Sequence, residues 1–131
     1  MRREFKLPAA DLEFLDRRYK TWEAILDVNK SQWVIIESFE VPKGYTQPVV
    51  AVAIRLDASY PDVQIDMVYF LPGLARIDGK AIRSLTTIPL DGKTWQQWSR
   101  HRAQDGWKPG VDNIETHLLY VINFLECELR K

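Results

Sequence analysis

Three β-rich runs separated by short breaks set the main limit on what this chain can fold into. Trp33-Val34-Ile35-Ile36-Glu37-Ser38-Phe39, then Val49 through Leu56, then Ile65-Asp66-Met67-Val68-Tyr69-Phe70 are rich in branched and aromatic residues. Pro42-Lys43-Gly44-Tyr45 and Asp57-Ala58-Ser59-Tyr60-Pro61-Asp62 break the series, and Leu71-Pro72-Gly73 closes it. Links this short join antiparallel neighbours, because a parallel pair needs a crossover of about a dozen residues or more. The middle run is apolar along nearly its whole length, so its strand is expected to be covered on much of both faces. The expectation is an antiparallel meander of three or four strands.

Helical patterns flank it. Leu12, Leu15, Tyr19, Trp22, Ile25 and Leu26 recur at helical spacing, opposite Asp16, Arg17, Arg18, Lys20 and Glu23, which predicts a helix over residues 10–26. Near the other end, Ile114, Leu118, Leu119, Val121, Ile122 and Leu125 supply an apolar face, which predicts a second helix over residues 112–128. Asp112 or Asn113 can cap its start, and Arg130 and Lys131 suit its negative end. Residues 74–110 show weak periodicity and are punctuated by Gly79, Pro89, Gly92, Gly106, Pro109 and Gly110. Trp95, Trp98 and Trp107 argue against disorder there and point to a long ordered loop held by buried indoles. The fold class read from these elements is α+β, with residues 1–131 forming one domain.

Charge and composition remove several classes of function. Eighteen basic residues balance eighteen acidic ones, so no net field recruits nucleic acid or an anionic membrane. No apolar run approaches the roughly 20 residues that span a bilayer. Met1-Arg2-Arg3 is followed by further charge, not by the apolar core of a signal peptide. One cysteine, Cys127, allows no intramolecular disulfide, and a reducing cytoplasm is the expected location. His101 and His117 lack metal-ligand spacing, so neither a metal nor a cofactor is expected.

The order of landmarks is similar to that of ubiquitin-conjugating (UBC-fold) proteins. Tyr60-Pro61 follows the second long run, Tyr69-Phe70-Leu71-Pro72-Gly73 stands where that fold has Tyr and then His-Pro-Asn, and Trp107-Lys108-Pro109 resembles its Trp-x-Pro before the next helix. Within this group the stretch Trp95-Gln96-Gln97-Trp98-Ser99-Arg100-His101-Arg102, with Trp107-Lys108-Pro109-Gly110-Val111-Asp112 after it, resembles a bacterial branch, the prokaryotic UBC-like family E. The resemblance implies an antiparallel meander sheet with an N-terminal and a C-terminal helix. It also implies two partners, a ubiquitin-like protein and an activating-enzyme-like protein, in a bacterial conjugation system that often includes a JAB-type peptidase.

Departures from the pattern bear on activity. The family's enzymes accept the ubiquitin-like C-terminus on a cysteine, whose thiolate is both a good nucleophile and a good leaving group. Counting back from Trp107 by the family's interval lands on Ser99, while Leu71 and Gly73 replace the histidine and asparagine. An acyl transferase lacking the cysteine would therefore depend on Ser99 as acceptor, His101 as its base and Arg100 or backbone N–H groups as oxyanion donors. The alternatives are a non-catalytic ubiquitin-binding adaptor of the same fold and a small hydrolase using Ser99, His101 and Asp112. Cys127, on the terminal helix, reads as a packing residue.

Overall fold

The computed structural model describes residues 1–131 and shows two helices around one six-stranded antiparallel sheet. Helix α1 covers Ala9–Arg18, followed by strands β1 (Trp22–Leu26), β2 (Gln32–Glu40), β3 (Val49–Leu56), β4 (Val68–Leu71), β5 (Leu85–Leu90) and β6 (Lys93–Trp98), and finally α2 (Ile114–Glu128). The order across the sheet is β1-β2-β3-β4-β6-β5. The α+β class, the three central strands and the terminal helix agree with the sequence reading; the sheet is larger than three or four strands.

Both extra pairings correct an expectation. The first helix stops at Arg18, and Tyr19 turns extended at φ −129°. Trp22, Ile25 and Leu26 lie on β1, where Trp22 pairs with Ile36 and Leu26 with Gln32. Their helical spacing misleads because β1 is buried on both faces: Trp22 and Ala24 point into one core and Ile25 into another, leaving no clean alternation. The hairpin closes at Asp27, whose Oδ1 accepts from the N–H groups of Asn29 and Ser31 while Oδ2 accepts from the Trp33 indole.

Residues 74–110 are likewise not one loop. They contain the β5–β6 hairpin, with Leu85 opposite Trp98 and Leu90 opposite Lys93. Asp91 and Gly92 form its turn at φ +55° and +74°, the left-handed pair that a tight hairpin needs. Trp95 and Trp98 are buried on β6, whereas Trp107 is half-buried.

The inner face of the sheet carries the larger core. Trp22, Val34, Ile36, Val52, Ile54, Phe70 and Trp98 meet Leu15 of α1 and Ile114, Leu118, Val121 and Leu125 of α2. Asp11 links the two helices: its Oδ1 accepts from the Ile114 N–H at the start of α2 and its Oδ2 from the Tyr60 hydroxyl. Burial pushes this carboxyl above its ordinary value, while those two hydrogen bonds pull it back. Asn113 caps α2 reciprocally with Thr116.

A smaller cluster fills the outer face. Ile25, Trp33, Ile35, Ala53, Tyr69, Leu90 and Trp95 pack together, which requires the sheet to curl until the β5–β6 hairpin nears β1. Arg2 clasps the two, bonding Glu23 on β1 and Asp91 in the hairpin turn. The first residues also run beside β1, with Ala24 N–H donating to the Arg2 carbonyl and Glu4 N–H to the Ala24 carbonyl. The edge of β1 is thus covered, and β5 remains as the open edge.

Candidate functional site

Ser99, Arg100 and His101 leave the end of β6 and enter the segment that leads to α2. The Ser99 N–H donates to the Ser84 carbonyl, which extends the hairpin ladder by one step and fixes where the segment departs. The half-buried Ser99 hydroxyl accepts from the Gln97 amide at 3.2 Å. His101 is well exposed, its side chain 64% accessible, and its Nδ1 lies 3.0 Å from Asp66 Oδ2. A carboxylate only accepts, so Nδ1 donates, and Nε2 has no hydrogen-bond partner within the chain. Ser99 and His101 therefore each have a different partner and share no hydrogen bond. Asp112 is elsewhere again, accepting from the Lys108 N–H.

Arg100 is held on all sides. It donates to the carbonyls of Arg83 and Ser99 and to Glu128 Oε1, and its guanidinium lies over the rings of Trp98 and Phe124. Its donors fasten the site segment to α2. Gly73 sits beside Gln96: a Cβ at position 73 would come within 3.0 Å of that carboxamide. Gln96 instead bonds both backbone groups of Leu74 and accepts from the Trp98 indole, so it fills the space a side chain at position 73 would need.

A second clamp was not visible in the sequence. His117 is fully buried on α2, its Nε2 donating to the Met67 carbonyl at 2.8 Å and its Nδ1 accepting from Arg102 at 2.9 Å. Burial pushes this imidazole down to about 4, with the Arg102 charge adding to the effect and the Met67 bond opposing it. Arg102 also donates to the Ile65 carbonyl and stacks on Trp107 and Tyr120. Residues 65–67, 102 and 117 thus form one tie between the sheet, the site segment and α2. The landmark residues converge nearby, because the Trp107 indole donates to the Pro61 carbonyl and its ring lies against Tyr60.

Prokaryotic E2 family E matches residues 7–128, which leaves only the chain ends outside. The chain belongs to this family. No curated protein and no solved structure matches it. The family's E2-like character agrees with the landmark order in the sequence and with the helix–sheet–helix architecture.

For an E2-like protein the position of the sole cysteine matters. Cys127 is half-buried on the last turn of α2, its sulfur 4.0 Å from Asn123 Oδ1 and 3.8 Å from an Arg130 nitrogen. The segment from Ser99 to Trp107 offers hydroxyl and imidazole chemistry instead of a thiol. Asp66, which bonds His101, is the neighbour of the candidate residues that the sequence did not point to; its only signal was a lone acid within the third β-rich run. No cluster of metal-ligating side chains is present, and no helix is long and apolar enough to cross a membrane.

Proposed function

We propose that this chain is the E2-like component of a bacterial ubiquitin-like conjugation system. It binds the ubiquitin-like protein and an activating-enzyme-like protein, and positions the ubiquitin-like C-terminus without forming a thioester. The family match over residues 7–128 in a chain whose only cysteine lies on α2 carries this reading. The test supplies the activating partner, ATP and the ubiquitin-like protein, then follows both complex formation and intact mass. The expected result is a stable non-covalent complex with an unchanged mass for this chain. A thiol-labile adduct on Cys127 would overturn it.

One observation favours a second reading, in which Ser99 carries the acyl group. Asp66 holds His101 through Nδ1 and leaves Nε2 without a partner, on the same segment as the Ser99 hydroxyl. After a rotamer change, Ser99 Oγ would attack the activated C-terminal carbonyl carbon, pass its proton to His101 Nε2 and expel the activating enzyme's thiolate. The ester left on Ser99 would resist thiol reductant, disappear in Ser99→Ala and form more slowly in His101→Ala. No sign of that adduct leaves the positioning role.

A further inference from the structure

Beside the site segment lies a bowl of about 580 Å³, walled by Lys80, Ala81, Arg83 and Ser84, by Ser99 and Arg100, and by the end of α2. Its charge is one-sided in a chain that is neutral overall. Five cations line it (Arg76, Lys80, Arg83, Arg100 and Lys131), which outnumber the carboxylates of Glu128 within and Asp78 at the border. The ion pairs here engage Arg76, Arg100 and Lys131; Glu128 pairs with all three, and Asp78 also pairs with Arg76 at 2.7 Å. Arg83, which is exposed, makes no ion pair, and the exposed Lys80 ammonium donates to the main-chain oxygen of the last residue, Lys131.

We infer that this bowl is a docking site for an acidic peptide segment of a partner protein. Three features favour an extended peptide over a small anion. The buried carboxylate of Glu128 sits at the floor, so a compact phosphate placed centrally would face a negative charge. The least neutralised positive charge lies at the rim instead, on Arg83 with Lys80 nearby, where carboxylates spaced along a chain can reach it. Residues 83 and 84 also lead directly into β5, the open edge of the sheet, whose unpaired backbone groups can hold an extended strand. Ser84 and Ser99 add two hydroxyls to the wall. The site stands without the conjugation reading, since it requires only charge and an exposed edge.

The test titrates the whole chain with a fluorescent, end-blocked peptide of alternating glutamate and serine, and with the same peptide carrying glutamine. The glutamate peptide should bind, more weakly as salt rises, while the glutamine peptide loses about tenfold or more in affinity. Charge reversal in Lys80→Glu/Arg83→Glu should weaken the glutamate peptide by a similar factor, whereas Arg17→Glu on α1 should not. If the reversed variant melts below the parent, Arg83→Gln replaces it, because that side chain makes no ion pair. Equal binding of both peptides, wild-type affinity in Arg83→Gln, or full displacement by equimolar inorganic phosphate would each overturn the proposal, the last by showing a small-anion site.

Discussion

The two faces of the sheet are covered by different means. On the inner face, two helices bring Leu15, Ile114, Leu118, Val121 and Leu125 onto strand residues in a cluster of 21 buried side chains. On the outer face, the sheet covers itself: the β5–β6 hairpin curls towards β1 and its Leu90 and Trp95 complete a cluster of seven. Burial by helices joins residues far apart in sequence through a large apolar area. Closure by a hairpin depends on one strand pair and an exposed clasp. The inner face should therefore hold global stability, and the outer face should open locally.

Tryptophan truncations separate the two most strongly. Trp98 is fully buried inside, against Phe70, Tyr45 and Phe124, and Trp98→Ala should cost about 4 kcal/mol of unfolding free energy in denaturant titration. Trp95 lies in the outer cluster, its indole donating to the Leu90 carbonyl. Trp95→Ala should cost about 3 kcal/mol, with faster amide exchange in β5 and β6 and little change in β2 and β3. Equal acceleration across all strands would show that the outer cluster is no separate unit.

Acid should act on the inner face through His117. Its folded-state pKa is about 4 against an ordinary 6.5, so between these values the unfolded chain binds the proton more readily. Stability from this group is complete above pH 6.5 and falls as pH drops towards 4, by about 3 kcal/mol in all. Asp11 works the other way, because a raised carboxyl pKa makes folding take up a proton as pH falls. His117→Gln should flatten the loss between pH 6.5 and 4; an unchanged slope would assign it to other groups.

The same region shows what the sequence could reveal. The strands from Trp33 to Phe70 were legible because β-rich runs and turn residues alternate, and α2 because its apolar face and caps agree. The β5–β6 hairpin had a readable signal in Asp91-Gly92, but Pro89 beside it reads as a break and the exposed Thr86 and Thr87 weaken the pattern. Strand β1 was hidden because burial on both faces erases its period. At the candidate site, Ser99 was locatable by count from Trp107 and His101 as the one histidine of the same stretch. Their partners Gln97 and Asp66, and the tie from Met67 to His117 to Arg102, depend on which strands pair and could not be counted along the chain.

That tie makes a third, smaller test. Arg102→Ala removes a donor to buried His117 Nδ1 and to the Ile65 carbonyl, and the cation over Trp107 and Tyr120. The expected cost is about 2 kcal/mol, with the His117 pKa rising because a repelling charge is gone. Trp107 fluorescence should shift red as the segment loosens. A stable variant with an unmoved His117 titration would show that Arg102 does not hold the segment.

The smallest effect should come from Arg2, and it bears most directly on how the outer face is closed. Arg2 meets Glu23 at 2.9 Å and Asp91 at 2.7 Å, so one guanidinium joins β1 to the hairpin turn. Its pKa is raised, chiefly by the hydrogen bond to Asp91 and next by that to Glu23, and Glu23 is pulled down to about 2 by the same bond. Those shifts overstate its worth, because the Arg2 side chain is 41% exposed and water screens the pair. Arg2→Ala should therefore cost only about 0.5–1 kcal/mol globally. Locally it removes the one side chain that bonds both ends of the curl, so amide exchange at Asp91-Gly92 and β5 should accelerate more than at β1, which keeps its pairing with β2. High salt should reproduce the local effect in the parent chain and add little in the variant. A hairpin whose exchange ignores both the substitution and salt would mean that Leu90 and Trp95 alone hold the curl, and apolar contact would then close the outer face as it closes the inner one.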